Sequence, residues 1–367
     1  MFSHTRLLPL VLSIVALTFC SSVLTGADFR RGDVNADETL DMSDAVFLLG
    51  CQFNGGECPT CDDAADANDD GAIDISDASY LLAYLFQNGP DIPEPSWCGP
   101  DPTIDRLTCV AYAPCEDLVW SSPAVPEADM LSVWNEQTGE GRRLVWRDGY
   151  NINGDVYFAV IFEKTEPVAW ASFSNMNGTQ LADEIDSRTD AGYRVLQVDS
   201  YVKGSNIRYA VIFVKESGPD QLVYHSYTGA QHQAQFDFLK GNGWQPVNVS
   251  PVNAGAGRRY TALWEEKVGS FWLKSGLTPA QYQTEFEEQT EAGRELAYLH
   301  GYNDNGQARL SALWKPLPYS SWAARHGLNW FQYVEQTISW VDQGYKLMFI
   351  TGYQNGSGAD YAAFWAK

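Results

Sequence analysis

Between residues 127 and 367 one pattern of apolar and polar positions recurs five times. Its fixed point is a glycine at 141, 192, 243, 293 and 344, at spacings of 51, 51, 50 and 51 residues. Seven positions ahead of each stand Trp134, Ile185, Phe236, Phe286 and Thr337, and eleven ahead stand Met130, Leu181, His232, Tyr282 and Tyr333. Two positions four apart on one face, closed by glycine, predict an amphipathic helix with a glycine cap. Twenty-one residues after each glycine comes Phe162, Phe213, Trp264, Trp314 or Trp365. The intervening residues form two strand-like runs, as at 143–150 and 156–162, joined by Asn/Gly-rich turns at 151–154, 303–306 and 354–358. Trp170, Trp272 and Trp322 mark a third short strand at matching places. Agreement at independent positions over five units predicts a tandem repeat.

The second strand of each unit is apolar on both faces. Val160, Val211, Ala262, Ala312 and Ala363 share one face with the large aromatic, and Ile161, Ile212, Leu263, Leu313 and Phe364 occupy the other. A strand buried on both sides needs cover on both. The predicted unit is a helix followed by an antiparallel meander. Five units then make a curved sheet with helices outside, or alternatively a propeller-like closed ring. The aromatic row belongs in the core. The sharper expectation is that part of it, or the set Trp170, Trp272 and Trp322, faces an open surface and stacks on sugar rings or a peptide.

The Ala-Leu-Trp strands and Gly-Tyr helix ends resemble the bacterial tandem repeat domain found beside serine-hydrolase domains in polyglycine hydrolases. The resemblance covers about residues 127–367, and no hydrolase domain is expected after Lys367.

Ahead of the repeats the pattern changes to closely spaced oxygen side chains. Asp33, Asn35, Asp37, Asp41 and Asp44 sit at positions 1, 3, 5, 9 and 12 of one loop. Asp66, Asn68, Asp70, Asp74 and Asp77 repeat the set 33 residues later. Thr39 and Ala72 fall at position 7, where a calcium loop supplies a backbone carbonyl. The twelve residues are candidate ligands for two Ca2+ ions. Leu40 and Ile73, at position 8, are placed to pair the loops, and helix-like stretches follow at 43–49 and 76–87. Position 12 is Asp rather than Glu. Glu38 stands at position 6, where Gly71 fits the sharp turn, and this should weaken the first site by roughly 1 kcal/mol.

The loop–helix duplication with Asp at position 12 resembles a dockerin type I module over about residues 29–90. The segment from Cys98 to Cys109 is similar to the end of dockerin-like regions in exported bacterial proteins. The resemblance implies helices ordered by calcium and docking onto a cohesin-like partner. The fold class is therefore multidomain α+β. It comprises a signal peptide (1–27), a small α-helical paired EF-hand-like domain (28–110), a Pro/Ala/Ser-rich linker (111–126) and the repeats (127–367).

Composition narrows the compartment and the partners. The net charge is -23, and residues 28–117 hold 20 Asp and Glu against 3 Lys and Arg. Nucleic acid and an anionic membrane surface are excluded as partners. A basic start, an apolar run at 7–19 and small residues before Ala27 predict a secretory leader and an extracellular or cell-surface location. Phe19 before Cys20 argues against lipidation, and no other segment is apolar enough to span a membrane. Six cysteines follow the leader, at 51, 58, 61, 98, 109 and 115, and an even number in an exported chain predicts disulfides in any of fifteen pairings. Cys58-x-x-Cys61 lacks a second pair or a nearby histidine for zinc. The Arg31-Gly32-Asp33 tripeptide is assigned to the calcium loop rather than to adhesion.

Catalytic signals are sparse. Ser200-Tyr-Val-Lys203 fits a β-lactamase-like spacing, but Gly149, Gly301 and Gly352 hold the Ser200 place in sister units. The histidines at 4, 225, 232, 300 and 326 share no metal spacing, and His300 is read as structural. The leading expectation is a secreted attachment protein whose repeats bind glycan or protein. The alternatives are an exported hydrolase or accessory subunit of a polysaccharide-degrading assembly, and a structural envelope protein with calcium as a staple.

Overall fold

A computed structural model of the chain describes residues 26–115 and 118–367. The leader assigned to 1–27 lies almost wholly outside the described residues. The chain divides into two compact units at 116/117. Among the described residues no helix is long and apolar enough to cross a membrane.

The first unit is built on α1 (Met42–Asn54) and α3 (Ile75–Gln87), with a single turn α2 (Asp62–Ala65) between them. Leu48 and Leu81, 33 residues apart, are both fully buried in a core with Ala45, Ala78 and Val34. Each long helix starts on a capping box, Asp41 with Asp44 and Asp74 with Asp77. Three disulfides join Cys51 to Cys58, Cys61 to Cys109 and Cys98 to Cys115. The two cysteines of the CxxC are thus bonded to different partners.

The second unit contains five separate three-stranded antiparallel sheets rather than one curved sheet. The middle strands are β3 (Asp155–Glu163), β6 (Asn206–Val214), β9 (Arg258–Glu266), β12 (Gln307–Lys315) and β15 (Gly358–Ala366). The inner strands are β2 (Arg143–Ile152), β5 (Arg194–Lys203), β8 (Trp244–Asn253), β11 (Glu295–Asp304) and β14 (Lys346–Asn355). The outer strands are β1 (Val119–Pro126), β4 (Trp170–Met176), β7 (Gln221–Tyr227), β10 (Trp272–Leu277) and β13 (Trp322–Leu328). Each inner strand touches the next, and β14 returns to β2, so the five sheets close into the propeller-like ring. Trp146 Nε1 donates to the Ile350 carbonyl at 2.6 Å across that closure.

The order of strands within a unit corrects the predicted helix-then-meander. Trp170 lies on β4, which pairs with β6 and not with β3. The true unit is strand–helix–strand–strand, with the outer strand ahead of the helix and the middle strand threaded between the other two. Residues 119–126, read as the end of a linker, accordingly form β1 and pair with β3.

The helices α4 (Met130–Gly139), α5 (Gly178–Asp190), α6 (Gly229–Gly241), α7 (Pro279–Glu291) and α8 (Trp330–Val341) cross between outer and inner strands. The last four begin on a repeated capping box, Asn or Thr at the cap and Gln three residues on. All five cap glycines have φ between 72° and 84°, where a Cβ is strained. Met130, Leu181, His232, Tyr282 and Tyr333 point inward and are buried, as the stripe predicts. Phe162, Phe213, Trp264, Trp314 and Trp365 are each 0 % exposed, so the row is core and faces no open surface. Of the other set, Trp170 and Trp322 are half-buried, and Trp272 is 40 % exposed.

Trp314→Ala or Trp365→Ala should therefore destabilise the ring by about 3–5 kcal/mol, as large aromatic truncations in cores do. Denaturant unfolding followed on the ring transition measures this. A loss below about 1 kcal/mol, within reach of an ordinary surface substitution, would contradict the packing.

Candidate functional site

The two acidic loops have one geometry built twice. In the first, the Asp33 carboxylate accepts from Asp37 N at 3.1 Å and Glu38 N at 3.0 Å. In the second, Asp66 accepts from Asp70 N at 3.1 Å and Gly71 N at 2.8 Å. Asn35 and Asn68 each donate to the Asp two residues on at 2.9 Å, and to Ser43 or Ser76 at 3.0 Å. Asp44 accepts from Val34 N at 2.7 Å and Asp41 N at 2.9 Å, and Asp77 accepts from Asn68 N at 3.3 Å and Asp74 N at 2.8 Å. Thr39 N and Ala72 N, at position 7, donate to Asp37 and Asp70. All twelve predicted residues thus lie in two matching loops. Position 6 has φ of 70° at Glu38 and 81° at Gly71, the left-handed turn that only glycine adopts without strain.

The loops crowd buried carboxylates together. Asp33, Asp44, Asp66 and Asp77 are each 0 % exposed. Burial, with the charge of Asp33 adding to it, pushes Asp44 up to about 6. Burial pushes Asp77 up to about 6 as well, with Asp66 and Asp70 adding. Asp41 and Asp74 are exposed and lowered, because their carboxylates accept hydrogen bonds from Ser43 and Ser76. Backbone N–H groups and the Tyr112 hydroxyl, which meets Asp33, only partly offset the crowding. A hard cation binding carboxylate, amide and carbonyl oxygens fits this donor set.

Arg31 is buried too. It donates to the carbonyls of Asp63 at 3.1 Å and Asp66 at 2.9 Å, and its guanidinium pairs with Asp69 at 3.0 Å and Asp101 at 2.7 Å. The Arg-Gly-Asp tripeptide is therefore not displayed at the surface. Sequence reading missed this arginine, because its partners lie 32 to 70 residues away.

The ring carries a second constellation, on its axis. Seven residues after the cap glycines stand Asp148, Asp199, Ser250, His300 and Thr351, one per inner strand and all buried. Each serves the backbone of the preceding unit. Gly149 N donates to Asp199 at 2.6 Å, Ser200 N to Ser250 at 3.0 Å and Gly301 N to Thr351 at 2.8 Å. Gly352 N donates to Asp148 at 3.4 Å, which closes the cycle. The fifth place is Pro251, which has no N–H to give. There His300 Nε2 faces the Pro251 carbonyl at 3.1 Å, while its Nδ1 faces Asp148 at 2.6 Å.

Both ring nitrogens of His300 therefore face oxygen atoms, an arrangement that favours the imidazolium. Burial opposes that charge, but Asp148 and Asp199 outweigh it and raise His300 above its ordinary value. Burial and Asp148 push Asp199 up to about 7, against the pull of His300.

Ser250 Oγ lies 3.4 Å from His300 Nε2, so serine, histidine and aspartate stand in the order of a hydrolytic triad. The chemistry does not follow. Ser250 donates to Asp199 at 2.7 Å rather than to His300, and all three groups are sealed from solvent. Gly149 N and Gly301 N are already committed to side chains and are not free to hold an oxyanion. Ser200 and Lys203 are also apart: Ser200 binds Ser250, and Lys203 pairs with Glu127. A strand places residues three apart on opposite faces.

Beside the axis opens a pocket of about 220 Å³ lined by all five units, with Tyr150, Tyr201, Val252, Tyr302 and Tyr353 in its wall. Its rim carboxamides are occupied by the hairpin turns, as Gly154 N to Asn151 at 2.8 Å and Gly306 N to Asn303 at 2.7 Å.

The chain belongs to the polyglycine hydrolase-like structural repeat family, whose model matches residues 125–165, 167–216, 218–267, 270–316 and 320–367. Each of the last four matches encloses one strand–helix–strand–strand unit. No curated protein matches the chain.

The axial charges set the ring's pH response. A raised histidine contributes stability that is complete below its unfolded pKa and lost as pH rises through the folded one. The raised Asp199 acts in the same direction. The ring's melting temperature should therefore fall as pH rises, with Asp199 up to about pH 7 and with His300 above about pH 6.5. His300→Gln should lower stability and flatten this slope. A wild-type slope that survives the substitution would remove His300 from the account.

Proposed function

We propose that this member of the repeat family is an exported attachment protein. In this reading calcium orders residues 28–110 as a dockerin-like docking module for a cohesin-like domain. The ring carries the surface that holds glycan or protein. The observation that carries it is the duplicated loop with four sealed carboxylates and too few cations. Asp33, Asn35, Asp37, Asp41 and Asp44, with the Thr39 carbonyl, would hold one ion. Asp66, Asn68, Asp70, Asp74 and Asp77, with the Ala72 carbonyl, would hold the other. Bound calcium would supply the charge that lets these carboxylates stay ionised while buried.

Two further features support docking and export. Met42 and Ile75 are 56 % and 58 % exposed, and Phe53 and Phe86 are 67 % and 65 % exposed. Each pair is 33 residues apart, so the helices present two equivalent apolar faces. Three disulfides suit an oxidising compartment. The alternative reading, an exported hydrolase or an accessory subunit, lacks support from the axial triad.

Removing calcium should lower the helical circular dichroism of residues 28–117, and restoring it should bring the signal back. A signal unmoved by excess chelator would sink the calcium reading. A cohesin pull-down from calcium-loaded protein then tests docking separately.

Glu38→Gly should relieve the left-handed strain and tighten the first site by about fivefold, equivalent to roughly 1 kcal/mol. Calorimetric titration beside Asp33→Ala and Asp66→Ala assigns the sites. An unchanged first site would show that the strain is absent when calcium is bound.

A further inference from the structure

The five repeats act as controls for one another, and one helix breaks their pattern. On α8, Phe331, Val334, Ile338 and Val341 are 82 %, 37 %, 56 % and 52 % exposed. Their spacing of three, four and three residues draws one straight stripe along the helix. At the place of Ile338 the sister helices carry Asn135, Asp186, Asp237 and Glu287. The fold of a unit thus has no need of an apolar residue there. The core face of α8 is already used, with Tyr333 buried against Tyr361.

We infer that this stripe is an interface between two copies of the chain, joined about a two-fold axis through antiparallel α8 helices. The stripe is apolar and self-complementary, as an isologous contact requires. With Trp330, 43 % exposed, it offers roughly 500 Å² of apolar surface per copy. Two copies reach about 1,000 Å², the lower edge of specific interfaces. Only one helix of the ring has the full stripe, so association ends at a pair and does not propagate. The charged residues of α8 and its C-cap are Glu335 and Asp342, both acidic. They repel across a two-fold and would attract a basic partner. Salt therefore strengthens a homodimer and weakens a basic heterologous complex.

Sedimentation equilibrium of the full calcium-loaded chain tests this. A concentration-dependent monomer–dimer equilibrium that tightens with salt is expected. Ile338→Asp, which copies α5 and α6, should weaken dimerisation at least tenfold while leaving the melting temperature near wild type. Phe331→Ala, which copies Ala230 and Ala280, should do the same. A chain that stays monomeric at every concentration overturns the inference. So does a dimer indifferent to both substitutions, or one that weakens as salt rises.

Discussion

The ring depends on how the inner edge of each sheet is satisfied. An inner strand pairs with its middle strand on one side only, and its other edge faces the axis, where water is excluded. Unpaired N–H groups there would each cost a kcal/mol or more. The next unit supplies the acceptors as side chains: Asp199 for Gly149, Ser250 for Ser200, Thr351 for Gly301 and Asp148 for Gly352. A second tier repeats the device, with Gln197 accepting from Arg147 N at 2.9 Å and Asn248 gripping Val198. Sheets capped by a neighbour's side chains need no strand pairing between units. That is why five separate sheets form a ring rather than one continuous sheet.

The same constraint explains the packing beside the axis. A Cβ on Gly149, Gly301 or Gly352 would come within 2.7, 2.4 and 2.4 Å of Tyr201, Tyr353 and Tyr150. Each glycine therefore makes room for the tyrosine of the following unit. Where serine replaces glycine, at Ser200, the following unit carries Val252 in place of tyrosine. Ser200 and Val252 fit one shared space, whereas Pro251 is followed by a tyrosine, Tyr302, without a glycine to make room. Pro251 alters the belt in a similar way. Pro251 has no N–H to offer a neighbour, and His300 instead faces its carbonyl and Asp148.

This division decides what the sequence discloses. The cap glycines, the helix stripe and the doubly apolar middle strand are legible because each demands one residue class in every unit. The axial position is not, because its requirement is an acceptor aimed at a neighbour's N–H. Asp, Ser and Thr all serve at four places, and at the fifth, where Pro251 offers only a carbonyl, His300 stands instead, so Asp148, Asp199, Ser250, His300 and Thr351 share no visible type. The outer strand was assigned to the wrong unit for another reason. Chain order cannot tell whether Trp170 closes the sheet of β3 or opens that of β6. The loops of the first unit were readable down to single residues, since their oxygen spacing is set by local turns. Arg31 was not, because its carboxylates converge only in the fold.

The two units solve one electrostatic problem in opposite ways. Both seal aspartates from water, at a cost that exceeds what hydrogen bonds alone return. On the axis the protein provides its own compensation. Asp148 meets His300 and a hydroxyl, and Asp199 meets a hydroxyl and an N–H. In the loops the compensation is incomplete. Asp33 and Asp44 have backbone donors and one tyrosine, and the nearest buried cation, Arg31, is spent on Asp69 and Asp101. A fold that buries like charges without a counter-charge of its own holds together best with one borrowed from solution. The axis has His300 as a partner of its own for Asp148, and this asymmetry is the physical reason that the proposed cation sites lie in the loops.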